Sequence, residues 1–258
     1  MFRPIRRQKK VRGSVREAAR KAARKLAVES LEERVVLSGI VHVDVFGTNL
    51  NLTGDWDHIA GTPTLPSGNY VEVQQATTGA GGLIQGRFIV TGKSNTLLSI
   101  DGTLTDSVTV NGVNGSINVD LGSNDDTFEL KGSPAGLPGG GPNGVPALVM
   151  GNVNISNDLG SNKNVLDNVQ INGALNVLKV AGTNSRSELT VTDALIKAPV
   201  TVDNQVGGGG GDSATTFRGS HLEQQLTIVN ASGLDFVNIE DSDIAKATGA
   251  ITTINNGP

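Results

Sequence analysis

The sequence contains no cysteine, and few of its 258 residues are aromatic. Without cysteine, disulfide bonds, thiolate catalysis and cysteine-based zinc sites are excluded. Trp and Tyr occur once each and Phe six times, so the core must consist mainly of Val, Ile and Leu, and an aromatic-lined sugar cleft is not expected. Glycine is abundant, at 34 residues, which favours a repetitive all-β chain with many turns over a compact enzyme.

Long apolar runs are also missing. No segment has the length and hydrophobicity of a transmembrane helix, and no apolar run of signal-peptide length follows the basic N-terminus. The nearest candidate, VVLSGIVHV at 35–43, is short and predicts a β-strand.

Positive charge becomes scarce after residue 34. Residues 1–34 hold twelve of the 21 Lys and Arg residues but four of the 25 acidic ones, so the remaining chain is strongly acidic. Ser14 and Glu17 form a capping-box pattern, and helical apolar spacing predicts a basic helix from Val15 into the low thirties. We expect residues 1–39 to be a targeting arm, although a nucleic-acid-binding arm or a solvated helix would have the same charge. Because no stacking aromatics or nucleic-acid-binding motif accompany the charge, no nucleic-acid partner is expected.

The segment ESLEERVVLSG at 29–39 joins this arm to the acidic body. It resembles the LEPR-XLL signature, an N-terminal export signal of large secreted or surface proteins of planctomycete bacteria. Glu33 stands where that signature has proline, and Val36 where leucine is usual. The resemblance implies export to the cell surface or extracellular space, without implying an activity. The matching residues, which we take as the targeting motif, are Leu31, Glu32, Arg34, Leu37 and Ser38.

Residues 149–258 repeat a short strand pattern every 22–26 residues. The starts of the repeated segments GNVNIS, GALNVL, APVTVD, QQLTIV and GAITTI lie at 151, 173, 198, 224 and 249. Such a period predicts a β-solenoid, in which each coil buries its inward aliphatic residues against the next coil. We predict a right-handed parallel β-helix, with an antiparallel sandwich as the alternative. The predicted inward columns are Leu175, Val200, Leu226 and Ile251; then Val177, Val202 and Ile228; and, in a second strand of each coil, Ile171, Ile196, Leu222 and Ile244.

Residues 40–131 contain less regular alternating segments, which predict an N-terminal part or cap of the same solenoid. Residues 132–148 are rich in glycine and proline and predict a loop or linker. The domain organisation is therefore an arm at 1–39, an irregular β region at 40–131, a loop at 132–148 and coils at 149–258.

Two turns, LGSNDD at 121–126 and LGSNKN at 159–164, raise the question of calcium. Glycine followed by Asn and Asp resembles the calcium-binding nonapeptide of RTX proteins. Asp125 and Asp126 are adjacent carboxylates in the first turn, but Lys163 occupies the second, and tandem nine-residue spacing is absent. Ordinary glycine turns capped by Asn side chains are therefore favoured. No metal or cofactor is predicted, and calcium is expected to leave the melting temperature almost unchanged.

Parallel β-helices include polysaccharide lyases and hydrolases, so an enzyme is the main alternative function. Such enzymes need carboxylates or a base close to a positive group. No candidate carboxylate has a basic partner at a recurrent position, and Arg218 and His221 are expected to stand alone. The three histidines, His42, His58 and His221, have no metal-ligand spacing. The candidate carboxylates are Asp203, Asp212, Glu240, Asp241 and Asp243.

The sequence therefore predicts an exported, non-catalytic β-helical protein with a structural or adhesive role. Its acidic, Asn-rich faces suggest carbohydrate or surface proteins as partners. A calcium-binding RTX-like module and a nucleic-acid-binding protein are less favoured functions. No catalytic, cofactor or metal residue is assigned, and the sequence does not predict an oligomeric state.

Overall fold

The structure is a computed structural model that describes residues 39–54, 68–78, 83–133, 144–179, 186–204, 211–230, 233–244 and 253–255. These residues belong to one compact unit and contain strands but no helix. In particular, they include no helix long and apolar enough to cross a membrane. The predicted basic helix and the targeting motif lie outside the described residues.

Within the described ranges, seven strands precede the regular coils, and antiparallel pairing is common among them. β1 pairs with β2, β3 with β4, β4 with β7 and β5 with β6 in this way, whereas β1 and β5 are parallel. The strands are β1 (Gly39–Phe46), β2 (Asn49–Gly54), β3 (Tyr70–Thr77), β4 (Leu83–Gly92), β5 (Thr96–Ile100), β6 (Thr103–Thr105) and β7 (Ser107–Val110).

From Ile117 onward the described strands come in threes, and successive triplets pair in parallel. We call each triplet a coil. The five coils that the structure describes are β8 (Ile117–Asp120), β9 (Thr127–Lys131) and β10 (Ala147–Val149); β11 (Val153–Asn157), β12 (Asn162–Asp167) and β13 (Val169–Ile171); β14 (Leu175–Lys179), β15 (Ser187–Thr192) and β16 (Leu195–Ile196); β17 (Val200–Asp203), β18 (Ser213–Arg218) and β19 (His221–Leu222); and β20 (Leu226–Val229), β21 (Asp235–Glu240) and β22 (Asp243–Ile244), after which β23 (Thr253–Asn255) follows.

The coils build three sheets, each formed by one strand from every coil. Sheet A has the order β23-β20-β17-β14-β11-β8-β2-β1-β5-β6. Sheet B has the order β21-β18-β15-β12-β9-β3-β4-β7, and sheet C the order β10-β13-β16-β19-β22. Since β2 and β3 pair in parallel with β8 and β9, the antiparallel strands extend sheets A and B at one end of the stack. The fold is thus all-β with long parallel sheets, as the repeat period predicted, and is compatible with a β-solenoid.

The strand registers confirm the predicted aliphatic columns in the middle coils. Val202 pairs with Val177 on one side and with Ile228 on the other, and all three side chains are buried. Val200 likewise joins Leu175 to Leu226, and sheet C stacks Ile171, Ile196, Leu222 and Ile244. Because side chains alternate across a strand, the residue between two buried positions faces outward.

The last predicted member of one column, Ile251, lies outside the described residues. In the described part of β23, Thr227 pairs with Thr253 and Ile228 with Ile254. This register continues the parallel pairing of sheet A beyond the fifth coil.

Sheet B meets sheet C at a corner residue with left-handed backbone conformation. Asn168, Asp193 and Asp241 have φ values of 52°, 50° and 49°, and Gly219, at 58°, occupies the same place in the fourth coil. Asn, Asp and Gly tolerate this conformation better than other residues do. This corner turns the chain sharply at the same point of successive coils and so keeps their strands in register.

Candidate functional site

An amide ladder runs along the outer face of sheet A. Asn51, Asn118, Asn154 and Asn176 lie opposite one another on β2, β8, β11 and β14. Nδ2 of Asn118, Asn154 and Asn176 each donates to Oδ1 of the preceding ladder residue at 2.8 Å. The ladder is half-buried, and its side chains are held at the regular spacing of the strands.

The amide ladder lines an open pocket together with a second outward column, Thr53, Asp120, Ser156 and Leu178. Asn118 and Asn154, in the middle of the ladder, each keep one N–H and one oxygen lone pair beyond those used in it. Leu178 is 40% exposed and adds an apolar contact at one end. This surface offers a row of neutral donors and acceptors, which suits a ligand that carries many hydroxyl groups.

Carboxylates on this face are widely separated. Asp120 and Asp203 occupy the same outward column, with Ser156 and Leu178 between them. Three strand spacings place them about 14 Å apart. Glycoside hydrolysis requires two carboxyl groups within about 10 Å, so this pair does not match that arrangement.

The outer face of sheet B carries an ionic network. Lys131 Nζ lies 2.5 Å from Glu129 and 3.4 Å from Glu72, and Lys93 Nζ lies 3.2 Å from Glu72. Because Glu72 and Glu129 contact the same ammonium group, their carboxylates are close neighbours. Tyr70 completes the group through a hydrogen bond to Glu129.

The network raises the pKa of two of its members, Lys131 and Tyr70. Burial would lower the pKa of Lys131, but the hydrogen bond and charge of Glu129 outweigh it and raise that pKa. Burial, with the nearby Glu129 carboxylate, raises the pKa of Tyr70. Lys131 therefore remains charged and Tyr70 neutral near pH 7, and neither is poised to act as a general base.

A buried polar column lies inside the corner where sheet A turns into sheet B. Asn69, Asp126 and Asn162 occupy equivalent places on successive layers, each immediately before a strand of sheet B or at its first residue. Asp126 Oδ1 accepts from the Asn69 backbone amide at 2.6 Å, and Asn162 Oδ1 accepts from the Asp126 backbone amide at 3.1 Å. Ser187 and Ser213 continue the column and are also buried.

Asp126 and Asp158 are carboxylates at this corner with exposures of 5% and 6%. Burial raises the pKa of Asp126 to about 7, reinforced by the charges of Asp125 and Asp158 and opposed by hydrogen bonds from Asn69. Burial and the Asp120 charge raise the pKa of Asp158. Removing a carboxylate from water disfavours its charged form, which explains both directions.

A buried lysine occupies the corresponding corner of the third coil. Lys179 is 2% exposed, and its Nζ donates to the carbonyl of Asp212 at 3.5 Å. Burial lowers the pKa of Lys179, and the Asp235 and Asp212 carboxylates oppose this change. The corner therefore contains buried ionisable groups of both signs, in different coils.

The sequence candidates are more closely paired than predicted. The expectation that Arg218 and His221 stand alone was wrong, because Arg218 Nε lies 4.0 Å from Glu240 and His221 Nδ1 lies 3.3 Å from Asp243. The side chains of both pairs are 40–63% exposed. Each pair joins the fourth coil to the fifth, so the partners are separated by one turn of the chain.

The remaining candidates do not converge. Asp203 is on the outer face of sheet A, Asp212 lies before β18 and Asp241 is the left-handed corner of the fifth coil. His42 is on β1, and His58 lies outside the described residues. The described part of the chain contains no group of three or more His, Asp or Glu residues arranged to hold a metal ion.

Sequence reasoning missed the amide ladder and the sheet B network. A sequence pattern does indicate the ladder, since NLNL, INVD, VNIS and LNVL each place Asn between two aliphatic residues. No sequence pattern indicates the network, because Glu72 and Glu129 are distant in the sequence and meet only through the pairing of β3 with β9.

No protein-family model, curated protein or solved structure matches this chain.

Proposed function

We propose that this protein is a non-catalytic β-helical protein, exported to the cell surface or extracellular space, where it has a structural or adhesive role. The outer face of sheet A is its binding surface, and its ligand is a polysaccharide rich in free hydroxyl groups. The amide ladder carries this proposal, since it presents hydrogen-bonding groups from four strands in one repeating line.

The geometry of the ladder supports binding by repetition. Each amide is oriented by its neighbour at 2.8 Å, so little side-chain freedom remains to be lost when a ligand binds. A polymer of hydroxyl-bearing units can contact several rungs at once, and its affinity then increases with the number of engaged rungs.

The right-handed sense of the coils and the export of the protein are part of the same proposal. Connections between parallel strands of one sheet are right-handed in nearly all proteins, which favours a right-handed helix for these coils. Export is supported by the resemblance of residues 29–39 to the LEPR-XLL signature.

A polysaccharide-active enzyme is the second candidate, favoured by the closeness of Glu72 and Glu129. Lys131 neutralises both carboxylates and keeps its own charge, which argues for a structural role of this pair. The two candidates therefore use different sheets and are separable by mutation.

Binding should depend on the ladder. We expect Asn118→Leu combined with Asn154→Leu to weaken binding to a neutral polysaccharide at least ten-fold in a pull-down assay, because similar volume is kept while the amides are lost. Thr190→Val with Thr216→Val, on the outer face of sheet B, serves as the matched control and should bind normally. Equal binding by both double variants would contradict the assignment of the ladder.

Catalysis is tested on the same samples by counting new reducing ends. We expect none above the background of the untreated polysaccharide. Depolymerisation that is lost in Glu129→Gln but kept in the ladder variant would replace this proposal with the enzyme.

A further inference from the structure

The corner shared by the first two coils contains more negative charge than its surroundings balance. Asp126 and Asp158 are both more than nine-tenths buried, and Oδ2 of each has no hydrogen-bond partner among the described residues. Asp125 and Asp120 add further carboxylates nearby. A buried, unpaired carboxylate is strongly unfavourable, so this charge must be neutralised by a proton or by a cation.

The nearest lysine in the sequence does not supply that cation. Lys163 directly follows Asn162, but alternation along β12 turns its side chain outward, where it is exposed. The charges that act on Asp126 come from Asp125 and Asp158, both of which raise its pKa. Lys163 was one of two sequence arguments against a metal here, beside the missing nine-residue spacing, and its outward orientation removes that one.

A small internal cavity lies beside Asp126. Its volume is about 10 Å³, which has room for one water molecule or one ion of similar size. The inward-facing polar residues in its wall are Asp126, Asn157, Asn162 and Asn164, and each of their side chains carries an oxygen. The cavity is thus lined by oxygen-bearing side chains and by apolar core residues such as Leu121 and Phe128.

We propose that this cavity binds one calcium ion, held by Asp126 and the asparagine oxygens of the second coil, with Asp158 as a second negative charge. Calcium accepts carboxylate and amide oxygens in irregular geometry, whereas magnesium demands a nearly ideal octahedron. The ion would tie β9 to β12 across the corner and stabilise the stack from within. This site is independent of the proposed carbohydrate surface.

The site differs from a nine-residue calcium motif in its construction. Asp126 precedes β9 in the first coil and Asp158 precedes β12 in the second, and the pairing of these two strands brings the corners together. The ligands therefore come from successive coils, which are offset by 36 residues at this point, as the ladder pair Asn118 and Asn154 shows.

The test is calcium binding by the full chain, freed of metal with a chelator. We expect isothermal titration calorimetry to show one ion per chain, with a saturable rise in melting temperature and little response to magnesium. Asp126→Asn should weaken binding at least ten-fold, and Asp158→Asn should weaken it less. Asp212→Asn, at the exposed corner of the fourth coil, should bind calcium like the unaltered chain.

If a proton neutralises the Asp126 carboxylate and calcium does not, a different result is expected. The metal-free protein would then lose stability as pH rises from about 4 to 7, because the folded state holds its proton to a pKa of about 7 and the unfolded state does not. If calcium does not change that pH profile and no binding heat is detected, Asp126 is protonated and the calcium site is refuted. Binding that survives in Asp126→Asn would refute it as well.

Discussion

Asparagine serves three different purposes in this chain, and its position on the coil decides which. Asn154 faces outward and forms the amide ladder, whereas Asn162 faces inward and accepts the Asp126 amide. Asn168 forms a corner, where its left-handed φ of 52° matters. An Asn-rich composition therefore has no single meaning, since the same side chain is surface ladder, buried hydrogen-bond partner or turn residue.

The alternation along β17 makes a sharp prediction about a single carboxylate. Val202 is 1% exposed between Val177 and Ile228, so Val202→Asp should destabilise the protein by several kcal/mol, because it buries an unpaired charge. Thr201→Asp is the matched control and should cost about 1 kcal/mol or less, since Thr201 faces outward between Asn176 and Thr227. Urea unfolding of both variants measures the contrast, and equal losses would contradict the register.

At the scale of elements, the antiparallel strands extend two of the parallel sheets beyond the edge of the first coil. An exposed edge strand invites pairing with other chains. The hairpins β1–β2 and β3–β4 pair with β8 and β9 through β2 and β3 and so continue sheets A and B beyond the first coil. Phe88, on β4, is fully buried, which shows that the core extends into these hairpins.

The corner between sheets B and C is a second element whose role is testable. Asp193 has a φ of 50° and an exposed side chain, so Asp193→Ala should be less stable than Asp193→Gly by about 1–2 kcal/mol. At Thr190, in the middle of β15, Thr190→Gly should instead be less stable than Thr190→Ala by about 0.5–1 kcal/mol, because glycine loses more backbone freedom in a strand. The four variants are compared by thermal unfolding. Alanine and glycine of equal stability at Asp193 would rule out backbone strain at this corner.

For the whole molecule, the β-rich body should fold without the arm. Val41 and Val43 on β1 are buried, and β1 pairs with β2 and β5. A chain beginning at Gly39 should therefore keep one cooperative transition within about 4 °C of the full chain, a shift that corresponds to roughly 1 kcal/mol.

The same truncation should abolish export from the native cells, as judged by fractionation. The matched control replaces residues 1–12 with an uncharged segment and keeps the targeting motif. Loss of the cooperative transition in the truncated chain would show that the arm belongs to the fold. Normal export of the truncated chain would refute the targeting proposal.

The sequence by itself determined the all-β class, the coil period and the inward columns from Val177 to Ile228. It could do so because alternation along a strand and repetition between coils are local properties of the chain. It did not predict that Asn118 pairs with Asn154 across 36 residues, because the length of a connecting loop leaves no mark on the strand pattern.

Only the tertiary structure decided which polar groups meet. Asn51 and Asn118 are 67 residues apart and Glu72 and Lys131 are 59 residues apart, and neither separation follows the repeat period of the later coils. Parallel pairing brings these residues together because it aligns strands across loops of any length. A buried carboxylate and an exposed one look identical in the sequence, and the packing around Asp126 makes the difference between a surface charge and a candidate ion site.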